Sequence, residues 1–292
     1  MRLHNPLERA LADRPVRVRS RSLAGSSTVV RGYPGATADA PTIVLVHGFR
    51  GTHHGLLPVV AAMPEARFIA PDLPGFGESA PLPGRHSLDG YAAWLRELLD
   101  AEDAGAEAIV LGHSFGSLVV ARDAAALGGR RLVLVNPIAE NALQGPDRLM
   151  TGIAIAYYRL GAALPSRLGR ALLGAPLITR VMSEVMATTR DRALRAWIHD
   201  QHRRHFSEFA SRRVLLEAFE ASVSDEVRAH AAALPPGTVL VAGERDAIAT
   251  PVAARRLAAA VPGSTLHLLG GVGHLAHYEA PLALARVLRE HL

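Results

Sequence analysis

The chain has 292 residues, 49% of them hydrophobic and 20% charged, enough to bury a sizeable core as one large domain or a core with an insertion. It holds no cysteine and no lysine, which excludes disulfides, thiolate chemistry, zinc–sulfur sites and lysine Schiff bases. The net charge of +5 comes from scattered arginines, the densest being Arg14–Arg19 and His202–His205, without the basic stripe or binding module that nucleic acid would demand.

The first six residues lack the apolar stretch of a signal peptide. Arg17–Leu23 and Ser27–Tyr33 read as an opening hairpin around Ala24, Gly25 and Ser26. Thr42–Val46 is a continuous apolar run, as expected of a strand covered on both faces. Arg67–Ala70 follows as a further strand. Leu88–Leu99 reads as a helix with Tyr91, Leu95 and Leu98 on one face. Ala108–Gly112 and Arg131–Val135 are short runs rich in branched residues. Thr238–Ala242 and Thr265–Leu269 complete the predicted strands. Thr250 and Pro251 are suited to cap and open a helix to Val261, and Pro281–Leu292 closes the chain. Strands alternating with helices imply a mostly parallel sheet with helices on both faces.

The alternation stops between Pro137 and about Val227. About ninety residues is too long for an ordinary loop, and helical patterns dominate it. A helical insertion over the strand ends is the economical reading. Its apolar residues, from Ile153 to Met186, are expected mainly to pack among themselves, with some lining a pocket. Gly152–Tyr158 is apolar but stops at Arg159, too short to span a bilayer. A soluble, cytoplasmic protein without membrane contact is expected, and monomer and homodimer both stay open.

Gly112-His113-Ser114-Phe115-Gly116 lies between a predicted strand and a predicted helix. A serine flanked by glycines at such a turn has the form of a nucleophile elbow. The turn is tight, and side chains two positions away would clash with neighbouring backbone. A serine hydroxyl is a weak nucleophile and needs a base, which needs an orienting acid. In elbow enzymes these follow in the order serine, acid, histidine, each after a strand. Asp246 follows the Thr238–Ala242 strand. His274 follows the last strand on a glycine-rich loop. Both would sit at the carboxyl ends of parallel strands, where open sheets place their sites.

Thirteen other histidines compete with His274, but none combines that loop, a late strand and the right order. His53 and His54 lie where they could meet substrate. Glu244 is the near rival of Asp246. Asn136 stands at the other position where an acid could follow a strand, and it cannot supply the charge. The backbone N–H of Phe115 points where an oxyanion would form. A second donor is expected from Phe49, in His47-Gly48-Phe49-Arg50-Gly51 after the Thr42–Val46 strand. His47 reads as a structural hydrogen-bonder.

With these segments assembled, the chain resembles the α/β-hydrolase superfamily, in particular its capped serine-hydrolase branch. The similarity rests on four motifs in order: His47-Gly48-Phe49, Asp72-Leu73-Pro74-Gly75-Phe76-Gly77-Glu78-Ser79, the elbow, and the Asp246 and His274 loops. The resemblance implies an α/β-hydrolase fold: a mostly parallel central sheet flanked by helices, with an inserted helical cap. Residues 1–137 and 227–292 would form the core and 138–226 the cap. It implies Ser114, Asp246 and His274 as the triad, and Phe49 and Phe115 as oxyanion donors. Serine at the elbow turns the reading away from dehalogenases and epoxide hydrolases, which carry aspartate there. Arg50 also replaces the proline common in those groups.

The function expected is serine hydrolysis of an ester or related acyl bond in a hydrophobic small molecule. It needs no metal or organic cofactor. Arg50, His113 and Trp197 are the expected substrate contacts. Two alternatives are kept. One is carbon–carbon hydrolysis of ring-cleavage diketones, where His113 and Phe115 depart from the usual asparagine and methionine. The other is a ligand receptor that retains the fold, which does not fix function.

Overall fold

A computed structural model describes residues 6–143 and 148–292. The N-terminal residues read above for a leader, 1–5, and the stretch 144–147 within the proposed insertion lie outside the described residues.

Eight strands form one sheet in the order β1-β2-β4-β3-β5-β6-β7-β8. They are β1 (Arg17–Leu23), β2 (Ser26–Tyr33), β3 (Thr42–Val46), β4 (Arg67–Pro71), β5 (Ile109–His113), β6 (Arg131–Val135), β7 (Val239–Gly243) and β8 (Thr265–Leu269). The β1–β2 and β2–β4 pairs are antiparallel, and the remaining pairs are parallel. All eight predicted strands form, with ends shifted by a residue at most. Ala24 and Gly25 make the hairpin turn with φ of 47° and 76°.

The helices are α1 (Pro6–Ala12), α2 (Leu57–Ala62), α3 (Leu88–Ala101), α4 (Phe115–Arg122), α5 (Arg148–Ala163), α6 (Ser166–Leu173), α7 (Pro176–Met186), α8 (Arg192–His205), α9 (Arg212–Val223), α10 (Pro251–Ala260), α11 (Ala276–Glu279) and α12 (Pro281–Glu290). Successive side chains of a strand face opposite sides, so each central strand feeds two cores. Val44, Val110 and Leu134 pack with α3 and α4, where Tyr91, Trp94, Leu95 and Leu98 are fully buried. Ile43, Leu45 and Leu111 pack on the other side with α2 and α12. The apolar stripe read from α3 is its buried face.

The helices α5 to α9 lie between β6 and β7, and no strand occurs there among the described residues. Pro165 and Ala175 separate α5, α6 and α7. Backbone hydrogen bonds tie this segment to the turn after β4: Gly77 N donates to Glu208 O and Ala210 N to Gly75 O.

Ser114 joins β5 to α4 with φ 51° and ψ −118°, a strained conformation for a residue with a side chain. The following turn passes against the end of β3. A Cβ on Gly116 would lie 2.1 Å from the carbonyl oxygen of Val46. One on Gly112 would lie 2.6 Å from that of Gly116. Backbone cannot retreat from such contacts without moving a central strand. Gly116→Ala should therefore cost about 3 kcal/mol or more, measured by urea unfolding, or prevent folding outright. Wild-type stability in that variant would refute the close approach.

Candidate active site

The ends of four neighbouring parallel strands each contribute one group to the site. Ser114 follows β5, Asn136 follows β6, Asp246 follows β7 and His274 follows β8. His274 Nε2 lies 2.9 Å from Ser114 Oγ. His274 Nδ1 lies 2.8 Å from Asp246 Oδ2. The serine, histidine and acid selected from sequence are thus joined in one hydrogen-bonded line.

Asp246 is itself held from several sides. Its Oδ1 accepts from Ile248 N at 2.8 Å and Ala249 N at 2.9 Å. Its Oδ2 also accepts from Asn136 Nδ2 at 2.8 Å. Burial alone would raise this carboxyl. The His274 imidazole and the two backbone N–H groups outweigh burial and hold it below its ordinary value. It is therefore charged at neutral pH.

Asn136 was set aside as unable to serve as the acid, but it has a place here. Its amide donates to Asp246 and to Gly273 O, two acceptors that fix its orientation. Its position after β6 was the one signal in sequence. Glu279 was missed altogether. Its carboxylate accepts from Gly273 N at 2.7 Å and from Thr188 Oγ1 at 2.9 Å. It thereby ties the His274 loop to the chain after α7.

The loop after β3 approaches the serine from the other side. A Cβ on Gly48 would come within 3.3 Å of Ser114 Cβ. Neither Phe49 N–H nor Phe115 N–H has an acceptor among the described residues. His47 anchors the loop. Its Nε2 accepts from Leu73 N at 2.9 Å, so Nδ1 carries the proton toward Gly48 O. Burial pushes its pKa down to about 4, so it stays neutral.

Asp72 anchors the next part of that loop. Its Oδ1 accepts from His53 N and His53 Nδ1, both at 2.8 Å, and its Oδ2 from Glu78 N at 3.1 Å. His53 is consumed in this contact. His54 stacks on His205, ring centroids 3.8 Å apart. Burial alone would raise the Asp72 carboxyl, but the hydrogen bonds from the His53 ring and backbone N–H hold it well below the usual 3.8.

A cavity of about 80 Å³ opens at the serine. His47, Phe49, His113, Ser114 and His274 line it from the sheet side, and Met186, Gln201, His202, His205 and Phe206 from α7, α8 and the residue beyond. His113 belongs to this pocket. Its Nε2 donates to His274 O at 3.0 Å, and burial pushes its pKa down to about 3.

Arg50 and Trp197, the other expected substrate contacts, do not line the pocket. Arg50 is 1% exposed with φ 59°, and points into the junction with the α5–α9 segment. Its guanidinium donates to Phe206 O, Leu173 O and Ser207 Oγ, and lies over the rings of Phe206 and Phe209. A positive φ after a glycine-rich loop turns its side chain away from the serine. Trp197 donates its indole N–H to Glu8 and packs edge-on against Tyr278. Of the apolar insertion residues named from sequence, only Met186 reaches the pocket lining.

Residues 43–287 match the model of the alpha/beta hydrolase family. A stretch of 151 residues is 36% identical to the dihydrolipoyllysine-residue acetyltransferase component of the acetoin cleaving system of Pseudomonas putida, covering 49% of this chain and 39% of that protein. Another of 103 residues is 30% identical to Lipase 1 of Psychrobacter immobilis, covering 35% and 32%. The chain thus spans less than half the length of these relatives. Among solved structures, the enol-lactonase of Burkholderia xenovorans LB400 aligns with a TM-score of 0.73 at 21% identity, over 94% of this chain and 99% of that one. A thermophilic esterase from Thermogutta terrifontis aligns at 0.68 and 21%, over 95% and 97%. At such identities the likeness is one of fold. Among the described residues, no helix is long and apolar enough to cross a membrane.

Two consequences can be measured. Asp72, with a lowered folded-state pKa, stabilises the fold fully above the ordinary value of 3.8, and this contribution is lost as pH falls below it. Asp72→Asn should cost about 3 kcal/mol near pH 7, and the gap from wild type should narrow in acid. A gap constant with pH would contradict the assignment. Arg50→Met should lower stability by about 2 to 3 kcal/mol, because buried carbonyls lose their donor. An unchanged melting temperature would contradict the junction role.

Proposed function

The chain belongs to the alpha/beta hydrolase family, and from that premise we propose that it is a serine hydrolase that cleaves an ester or related acyl bond of a small molecule. The observation that carries this is the Ser114–His274–Asp246 line, at 2.9 and 2.8 Å, opening onto a pocket. Ser114 Oγ attacks the substrate carbonyl while His274 Nε2 takes its proton. Asp246 stabilises the imidazolium that forms. The N–H groups of Phe49 and Phe115 receive the developing oxyanion, which is why they are free of other acceptors. His274 then protonates the leaving alcohol. Water attacks the acyl-enzyme with His274 again as base, and Ser114 is regenerated. Residues 138–226 act as a cap that closes the pocket from above, with Arg50 fastening it to the oxyanion loop.

The lipase relative supports acyl chemistry. The apolar cap suggested a hydrophobic substrate, and Phe49, Leu56, Met186 and Phe206 give the pocket apolar wall. The small cavity points to short acyl groups. Trp197, the cap residue that could face a ring-cleavage diketone, lies outside the pocket, so carbon–carbon hydrolysis is the weaker reading.

The test is hydrolysis of p-nitrophenyl esters from acetate to long acyl chains, with wild type and Ser114→Ala in parallel. Turnover highest for the shortest chains, and falling by about three orders of magnitude or more in the variant, is the expected result. Equal rates for wild type and variant across the series would overturn the proposal.

A further inference from the structure

The α8 side of the pocket carries a chain of polar groups that the triad does not use. Glu184 on α7 is held as a carboxylate by Arg180 and Arg195. Its Oε1 lies 3.4 Å from His199 Nε2, within ion-pair range though outside hydrogen-bond geometry. His199 Nδ1 lies 2.6 Å from Ser183 Oγ, and Ser183 Oγ lies 2.7 Å from His202 Nδ1. His202 lines the pocket. The chain therefore runs from the surface to the cavity as Glu184, His199, Ser183, His202.

One hydroxyl proton cannot serve two bare imidazole nitrogens, so at least one of the two Nδ1 atoms carries a proton. The carboxylate at His199 Nε2 selects between them. A bare nitrogen facing that oxygen would be repelled, so Nε2 holds the proton and Nδ1 is bare. Ser183 then donates to His199 Nδ1 and accepts from His202 Nδ1–H. His202 Nε2 is left as a lone pair with no partner among the described residues, on a side chain that lines the pocket. Burial pushes the His202 pKa down to about 4, so the ring stays neutral.

The neighbouring groups are of opposite type. His277 Nδ1 is buried without a hydrogen-bond partner among the described residues. A buried lone pair costs less than a buried orphan N–H, so the proton sits on Nε2. That nitrogen lies beside Gly55, which lines the pocket with His277 and Tyr278; a Cβ there would lie 3.8 Å from it and 3.6 Å from the Tyr278 hydroxyl. The Tyr278 ring lies 4.5 Å from that of His277 and 5.7 Å from that of His202. One acceptor and two donors thus belong to the lining of one pocket.

We propose that these groups form a second recognition site, in which His202 Nε2 accepts a hydroxyl of the substrate while His277 Nε2–H and the Tyr278 hydroxyl donate to an oxygen beside it. The preferred substrates are then short hydroxylated esters or lactones rather than plain aliphatic ones. Ser183 is a positioning residue, acting through the tautomer of His202. This rests on the hydrolase reading above. A pocket built to bond a hydroxyl discriminates against the analogue that lacks it, because its own polar groups are left unpaired.

The experiment compares kcat/KM for ethyl butyrate with its 2-hydroxy and 3-hydroxy derivatives, using wild type, Ser114→Ala, Ser183→Ala and His202→Phe. At least one hydroxy ester should exceed ethyl butyrate by about tenfold or more in wild type. That ratio should fall toward one in His202→Phe and shrink in Ser183→Ala. Histidine nitrogen-15 NMR of wild type should show His202 protonated at Nδ1 and bare at Nε2. A wild-type ratio near one with Ser114-dependent turnover would overturn the second site and leave the hydrolase reading standing. The opposite His202 tautomer would likewise overturn it. No Ser114-dependent turnover of any of the esters would overturn the hydrolase reading itself.

Discussion

A side chain at position 116 would meet the carbonyl oxygen of Val46 at 2.1 Å, and the site is built around that crossing. Because Gly116 lets the elbow lie directly on the end of β3, Ser114 is forced to φ 51° and its hydroxyl stands clear of the sheet. The same crossing brings the loop after β3 to the serine. Its Gly48 admits Ser114 at near-contact distance. Strain at one residue is thus offset by packing of two central strands that are buried on both faces. The acid and histidine need no such device. They ride on loops after β7 and β8, parallel neighbours whose ends already lie level.

Around this centre the protein uses buried polar ties rather than apolar contact alone. Asp72 gathers His53 and Glu78, and His47 gathers Leu73, so the loop after β3 and the turn after β4 hold each other. Arg50 carries the arrangement into the α5–α9 segment by capping the carbonyls of Leu173 and Phe206. Glu279 does the same from the His274 loop through Thr188. Asp72 and Arg50 are buried charges satisfied only when both segments are in place. Such contacts specify one arrangement more than they add stability. They fix the pocket as a seam between two parts of the chain.

The strands were legible because a sheet covered on both faces needs unbroken apolar runs, and Thr42–Val46 or Arg131–Val135 can be little else. The elbow, Asp246 and His274 were legible because chain order and strand ends restrict where they can stand. Arg50 and Trp197 were misread for a common reason. Their chemistry suits a ligand, but sequence does not tell which way a side chain turns after a residue with positive φ or on a helix packed from several sides. The pocket histidines were hidden similarly. His202 and His277 belong to different elements, and only the fold brings them to one wall. Asn136 lay at a position already singled out, but its amide acts through Asp246 rather than in its place.

The central claim is that Ser114 is activated by His274 and is open to an acyl-like electrophile. The most direct measurement is labelling of the intact protein with a fluorophosphonate at neutral pH, read by mass spectrometry, in wild type and His274→Ala. The expected result is one adduct per chain, on Ser114, formed at least about a hundredfold more slowly in the variant. Labelling at another residue, or at the same rate without His274, would contradict the claim.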